Sequence, residues 1–127
     1  MTPPPDDRPP SRLRIRVVFS EGAMIGPGKA DLLERIAQRG SIAAAGREMG
    51  MSYKRAWELI GTLNAMFEAP LVDSTRGGPG GGGAVLTDMG RDILRLYREV
   101  EAEAAAAAAP SIAAMRARLG DRKNVAD

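Results

Sequence analysis

The 127-residue chain carries 18 Lys and Arg against 16 Asp and Glu, a net charge of only +2, so bulk charge names no partner and the placement of charge has to be read instead. It contains neither Cys nor His, which excludes disulfides, thiolate catalysis and zinc–thiolate sites and removes the commonest general base and metal ligand. At 44% hydrophobic residues it has the composition of one globular domain with a modest core, helped by a partner subunit if one binds.

The first segment, MTPPPDDRPPSR, is rich in proline and charge and has no apolar stretch of the signal-peptide kind. Residues 1–11 are expected to be a disordered tail. No apolar run approaches the ~18 residues that a membrane span needs, so a cytoplasmic protein without a membrane partner is expected. Between Arg12 and Phe19 the pattern alternates, with Leu13, Ile15, Val17 and Phe19 on one side and Arg12, Arg14 and Arg16 on the other. A period of two predicts a half-buried strand whose basic outer face is read as solvated rather than as a DNA contact.

Pro27-Gly28 marks a turn, and a helix is predicted from about Lys29 to Arg39 with Leu32, Leu33, Ile36 and Ala37 as its apolar stripe. Gly40 ends it, and Ser41 is placed to cap a second short helix, Ile42 to Met49. Gly50 makes the next turn, and Ser52 caps a third helix. That helix carries Ala56, Trp57, Ile60, Leu63 and Phe67 at helical spacing, and Tyr53, Lys54, Arg55, Glu58, Thr62 and Asn64 on its other face. A lone tryptophan on a packed helix is usually core, and Trp57 is expected in the core or at its edge.

After Pro70, residues 71–75 read as a short strand, the stretch from Gly77 to Gly83 as a flexible tip, and Ala84 to Leu86 as the returning strand. Thr87 is placed to cap a long helix whose Met89, Ile93, Leu96 and Val100 fall close to a heptad seam and are read as a dimerisation stripe. Alanines extend it until Pro110, where the helix is expected to break, leaving residues 110–127 as a short helical or frayed tail. The fold class is therefore mainly α (α+β): a winged helix-turn-helix over residues 12–109, with an N-terminal strand, a glycine-rich hairpin wing and a long last helix.

In such an arrangement the start of the third helix is the part that enters a DNA major groove. Lys54 and Arg55 can contact guanine O6 and N7, and the hydroxyls of Ser52 and Tyr53 can take further base or phosphate contacts. Glu48 and Glu58 offset the local basic charge. The run GGPGGGG is not followed by Lys-Ser or Lys-Thr, so it is no nucleotide loop. As a wing tip it lets backbone approach DNA, with Arg76 at its base as the wing contact. No cofactor is expected. Without histidine and without a lysine paired to a serine in a recognisable motif, no enzyme is expected either. The competing reading is a protein-interaction module on the same scaffold, gripping another chain with the long helix.

The residues Gly40-Ser41-Ile42, Ser52 to Trp57 and Gly77 to Gly83 closely resemble the N-terminal domain of the ModE family of molybdate-responsive transcription regulators. The resemblance runs from about Leu13 to Val100. A wider one, to the LysR-type winged helix, rests on Leu86-Thr87-Asp88-Met89-Gly90. It implies a homodimer joined through the first and last helices, with two recognition helices in successive major grooves of a near-palindromic operator. Full-length members carry C-terminal modules that bind molybdate or tungstate. This chain ends at Asp127 and is expected to lack them, so molybdate sensing is not carried over. Pro79 stands where a basic residue is often found inside the wing, and the alanine-rich extension after Glu103 lies outside the resemblance. That extension reads either as a longer dimer helix or as a linker to an effector domain that is missing or supplied by another protein.

Overall fold

The computed structural model describes residues 6–75 and 83–120. The chain begins with a hairpin of β1 (Val17–Ser20) and β2 (Ala23–Ile25), turned at Gly22 with a φ of +82°. β2 was not anticipated: three residues, Ala-Met-Ile, are too few to show an alternation. The basic alternation before it holds in part, since Leu13, Ile15 and Val17 are half-buried while Arg12, Arg14 and Arg16 are exposed. The pairing register Val17↔Ile25, Val18↔Met24, Ser20↔Ala23 slips between Val18 and Ser20. Phe19 falls in the slip and ends 56% exposed, edge-on to Phe67 at 5.9 Å, rather than buried.

Three helices follow. α1 (Pro27–Arg39) starts on a proline, two residues before the predicted start, because a first-turn N–H needs no helical partner. It ends at Gly40, whose φ of 67° lets its N–H bond back to Ile36 O at 2.8 Å. Ala37 is exposed, not part of the buried stripe, which consists of Ala30, Leu32, Leu33 and Ile36. α2 (Ile42–Glu48) and α3 (Tyr53–Met66) open on the expected caps: Ser41 Oγ accepts from Ala44 N and Ser52 Oγ from Arg55 N, each at 3.1 Å. Such caps are each worth about 1 kcal/mol. α2 and α3 cross closely because Gly46 meets Ala56 there; a Cβ on Gly46 would lie 3.1 Å from that of Ala56.

The wing root is the antiparallel pair β3 (Val72–Ser74) and β4 (Ala84–Leu86), in register Val72↔Leu86. It is tied to α3 by Asn64, whose Oδ1 accepts from Leu71 N at 2.8 Å and Val72 N at 3.1 Å while its Nδ2 donates to Val72 O. Asn64 is therefore half-buried and structural, not part of the exposed face of α3. Leu32, Leu33, Ile36, Ile60, Leu63 and Leu71 form the centre of the core, closed by Val72, Ala84 and Leu86 from the wing.

Thr87 caps α4 (Asp88–Ala117), its Oγ1 accepting from Gly90 N at 3.0 Å and donating to Pro70 O at 2.6 Å. α4 does not break at Pro110. The proline costs one internal hydrogen bond, and the alanine run before it supplies six consecutive strong helix formers that carry the helix through. Residues 6–11, expected to be tail, lie against this distal part. Arg116 donates to Asp6 Oδ2 at 2.8 Å, Ser11 Oγ at 2.7 Å and Arg8 O at 3.1 Å.

Candidate nucleic-acid interface

The packing of α2 across α3 leaves the first turn of α3 at the surface. Ser52, Tyr53, Lys54 and Arg55 are all exposed. Because Ser52 Oγ holds the amide of Arg55, the helix start is fixed in place and the hydroxyl hydrogen remains available to a partner. Lys54 forms no ion pair among the described residues. Arg55 has only a long one, 3.9 Å to Glu58, with both side chains more than half exposed. An exposed pair of that geometry contributes little and yields readily to a better anion.

The acidic offset foreseen at Glu48 is largely cancelled by the fold. Glu48 pairs with Arg39 and, at 3.5 Å, with Arg35, so its charge is held against α1. Trp57, expected in the core or at its edge, lies at the surface. It is 38% exposed and meets Tyr53 edge-to-face, ring centroids 5.9 Å apart, making an aromatic ledge one turn into α3. The i, i+4 spacing of two aromatics was the available signal. Arg76 and the wing tip from Gly77 to residue 82 lie outside the described residues. At the wing root, Thr75 N donates to Gly83 O at 2.8 Å and Gly83 N to Thr75 Oγ1 at 3.1 Å.

The four residues of the stripe on α4 divide. Met89 and Ile93 are half-buried and pack inward against the core. Leu96 and Val100 are 46% and 40% exposed. Together with Phe19, Phe67, Tyr97 and Ile93 they line an apolar groove of about 200 Å³ between α4 and the first hairpin. The groove's wall is held firmly: Tyr97 is buried and donates from its hydroxyl to Ile15 O at 2.7 Å, and burial pushes its phenol above its ordinary pKa. Next to it Arg98 bridges α4 to α1 through Asp31 at 2.8 Å and Glu34 at 3.3 Å, and reaches Glu101 on α4 at 2.9 Å.

Among the described residues no group of His, Cys, Asp or Glu is gathered so as to hold a metal ion, and no helix is long and apolar enough to cross a membrane.

Comparison with known proteins agrees with this architecture. The family described as bacterial regulatory helix-turn-helix protein, lysR family, matches residues 29–91, which run from the first turn of α1 to that of α4. The chain is 44% identical over 86 residues to the molybdenum-pterin-binding protein MopB of Rhodobacter capsulatus, covering 68% of this chain and 32% of that one. It is 49% identical over 70 residues to MopA of the same organism, covering 55% and 26%. To the DNA-binding transcriptional dual regulator ModE of Escherichia coli (strain K12) it is 45% identical over 71 residues, covering 56% and 27%. The chain thus spans a third or less of the length of these curated relatives. With the capped helices, the crossing at Gly46 and the wing root in place, these matches establish that the chain carries a ModE-like regulatory helix-turn-helix domain of the lysR family.

Proposed function

We propose that this chain is the DNA-binding part of a transcription regulator and that it reads double-stranded DNA with the first turn of α3 in the major groove. The observation that carries this reading is the exposed set Ser52, Tyr53, Lys54 and Arg55 on a helix start fixed by its own cap. The family match and the regulators among the relatives support it, and regulators of this kind are generally not enzymes. Arg76 is the proposed wing contact, following the exposed Thr75 in the sequence.

The proposed active form is a homodimer on a near-palindromic operator. Leu96 and Val100 offer the contact surface, Ile93 lines the floor of the same groove, and Met89 supports it from the core side. A separate effector protein is a further proposed partner, reached through the distal part of α4. The same groove favours the second reading, an interaction module without sequence-specific DNA binding, because exposed apolar side chains on a fixed wall suit any apolar partner.

Lys54→Ala separates the two. If Lys54 reads a base, affinity for the chain's own upstream DNA falls by about 1–3 kcal/mol and discrimination relaxes at one base position. Equal losses on upstream and random DNA would make Lys54 a phosphate contact, and a parent chain that shows no preference for the upstream DNA would leave the interaction module as the better account.

A further inference from the structure

A second basic feature lies beside α3 and was not visible in the sequence. Arg16, from the segment leading into β1, Lys29, from the first turn of α1, and Arg55, from the first turn of α3, line one notch of about 300 Å³. Its floor is apolar, made by Met24, Met51 and Leu59, and no carboxylate lines it. Neither Arg16 nor Lys29 forms an ion pair among the described residues. The nitrogen of Lys29 donates to Met24 O at 2.9 Å, and an Arg16 nitrogen makes only a weak 3.5 Å contact with the sulfur of Met24.

Several arginines elsewhere on the molecule are neutralised: Arg35 and Arg39 by Glu48, Arg91 by Asp88, and Arg98 by Asp31, Glu34 and Glu101. Cations brought together repel one another, and of these three only Arg55 has a carboxylate within reach, Glu58 at 3.9 Å. The pKa of Lys29 is lowered first by burial, and the charges of Arg55 and Arg16 lower it further. An anion placed between the three relieves that repulsion and gains charge-assisted hydrogen bonds.

We infer that the notch formed by Arg16, Lys29 and Arg55 is a second nucleic-acid contact, which takes one phosphodiester of the DNA backbone beside the groove entered by α3. The inference rests on the DNA-binding reading above. Arg55 and Met51 belong to the turn and first turn that present α3, so a duplex seated there brings its flanking strand to the notch. Arg55 then holds phosphate rather than a base, and base reading falls to Ser52, Tyr53 and Lys54. Arg16, read from the sequence as a solvated strand residue, becomes a positioning contact that carries register but no sequence information.

The test measures affinity for the upstream DNA and for random DNA across a salt series, with the full chain and its Arg16→Gln, Lys29→Gln, Lys29→Arg and Arg55→Gln forms. The slope of log affinity against log salt should become shallower by about 1 for each Gln substitution, with equal fold losses on both DNAs, while Lys29→Arg keeps the slope. Arg16 is exposed ahead of β1, so its variant tests the notch without disturbing the core. Unchanged slopes in the Gln forms, with normal binding by the parent chain, would overturn the notch and leave the α3 reading intact. A loss at Arg55→Gln confined to upstream DNA would overturn it too. Failure of the parent chain to bind any DNA would instead remove the reading on which it rests. Inorganic phosphate, at matched ionic strength, should compete no better than chloride; competition that depends on Arg16 and Lys29 would make the notch a free-anion site and overturn the DNA assignment.

Discussion

Around Leu71 the chain is packed so closely that backbone touches backbone: α4 starts directly over the carbonyl of Leu71, and a Cβ built at Gly90 would overlap that oxygen. Along the distal part of α4 the contacts are of another kind. Residues 104–117 are largely alanine, half-buried only at Ala104, Ala108, Ile112 and Arg116, and the arm of residues 6–13 lies across a cleft of about 720 Å³. The first region is specified by shape, with a core of buried leucines and isoleucines that only one arrangement of α1, α2, α3 and the wing can fill. The second is held by helix propensity and by one arginine. This difference places rigidity under the proposed DNA-reading helix α3 and leaves the far end of α4 less costly to alter.

The contrast can be broken most severely at Gly90. Gly90→Ala should cost about 3 kcal/mol or more in a denaturant titration, because the added carbon meets backbone that cannot rotate away. A loss below 1 kcal/mol would show that α4 can slide on the core. Asn64→Ala should cost about 1–3 kcal/mol, since it orphans two amides at the wing root. Hydrogen exchange should then locate the loss at Leu71 and Val72.

Tyr97→Phe sits between the two regions and should cost only about 1 kcal/mol by removing the bond to Ile15 O. Its pH dependence has a definite sign. The folded-state pKa is raised, so this contribution is full below the ordinary tyrosine range and is lost as pH rises through the folded value. An alkaline unfolding profile that is identical for parent and Tyr97→Phe would contradict this.

Asp6→Asn should have the smallest effect. Hydrogen bonds from Arg8 and then Arg116 hold the Asp6 carboxyl well below the usual carboxylate range. Its contribution to docking the arm is therefore present at neutral pH and lost only as pH falls through that depressed value. The substitution should release the arm to proteolysis without moving the unfolding midpoint. A shifted midpoint would mean that arm and core unfold together.

How much of this was legible depended on whether the cause was local. Ser41, Ser52 and Thr87 were readable as caps because a cap acts on an amide three residues away. The turn at Gly50 and the paired strands of the wing were readable for the same reason. The path of α4 through Pro110 was not, because a local rule for proline was outweighed by the alanines beside it. Asn64 was assigned to the wrong face because its partners, Leu71 and Val72, come from the strand that follows. Phe19 moved outward through a register slip that no alternation pattern encodes. The notch was invisible for a stronger reason: Arg16, Lys29 and Arg55 come from three elements, and only the fold brings them to one place.

The central claim is that a rigid α3 start reads DNA sequence. The direct measurement is the affinity of the purified chain for its own upstream DNA against random DNA at two salt concentrations. The account predicts a preference of at least ~10³ for the upstream fragment, with both affinities falling steeply as salt rises. Equal affinity for the two DNAs, or no binding at either salt, would contradict it and turn attention to the groove at Leu96 and Val100.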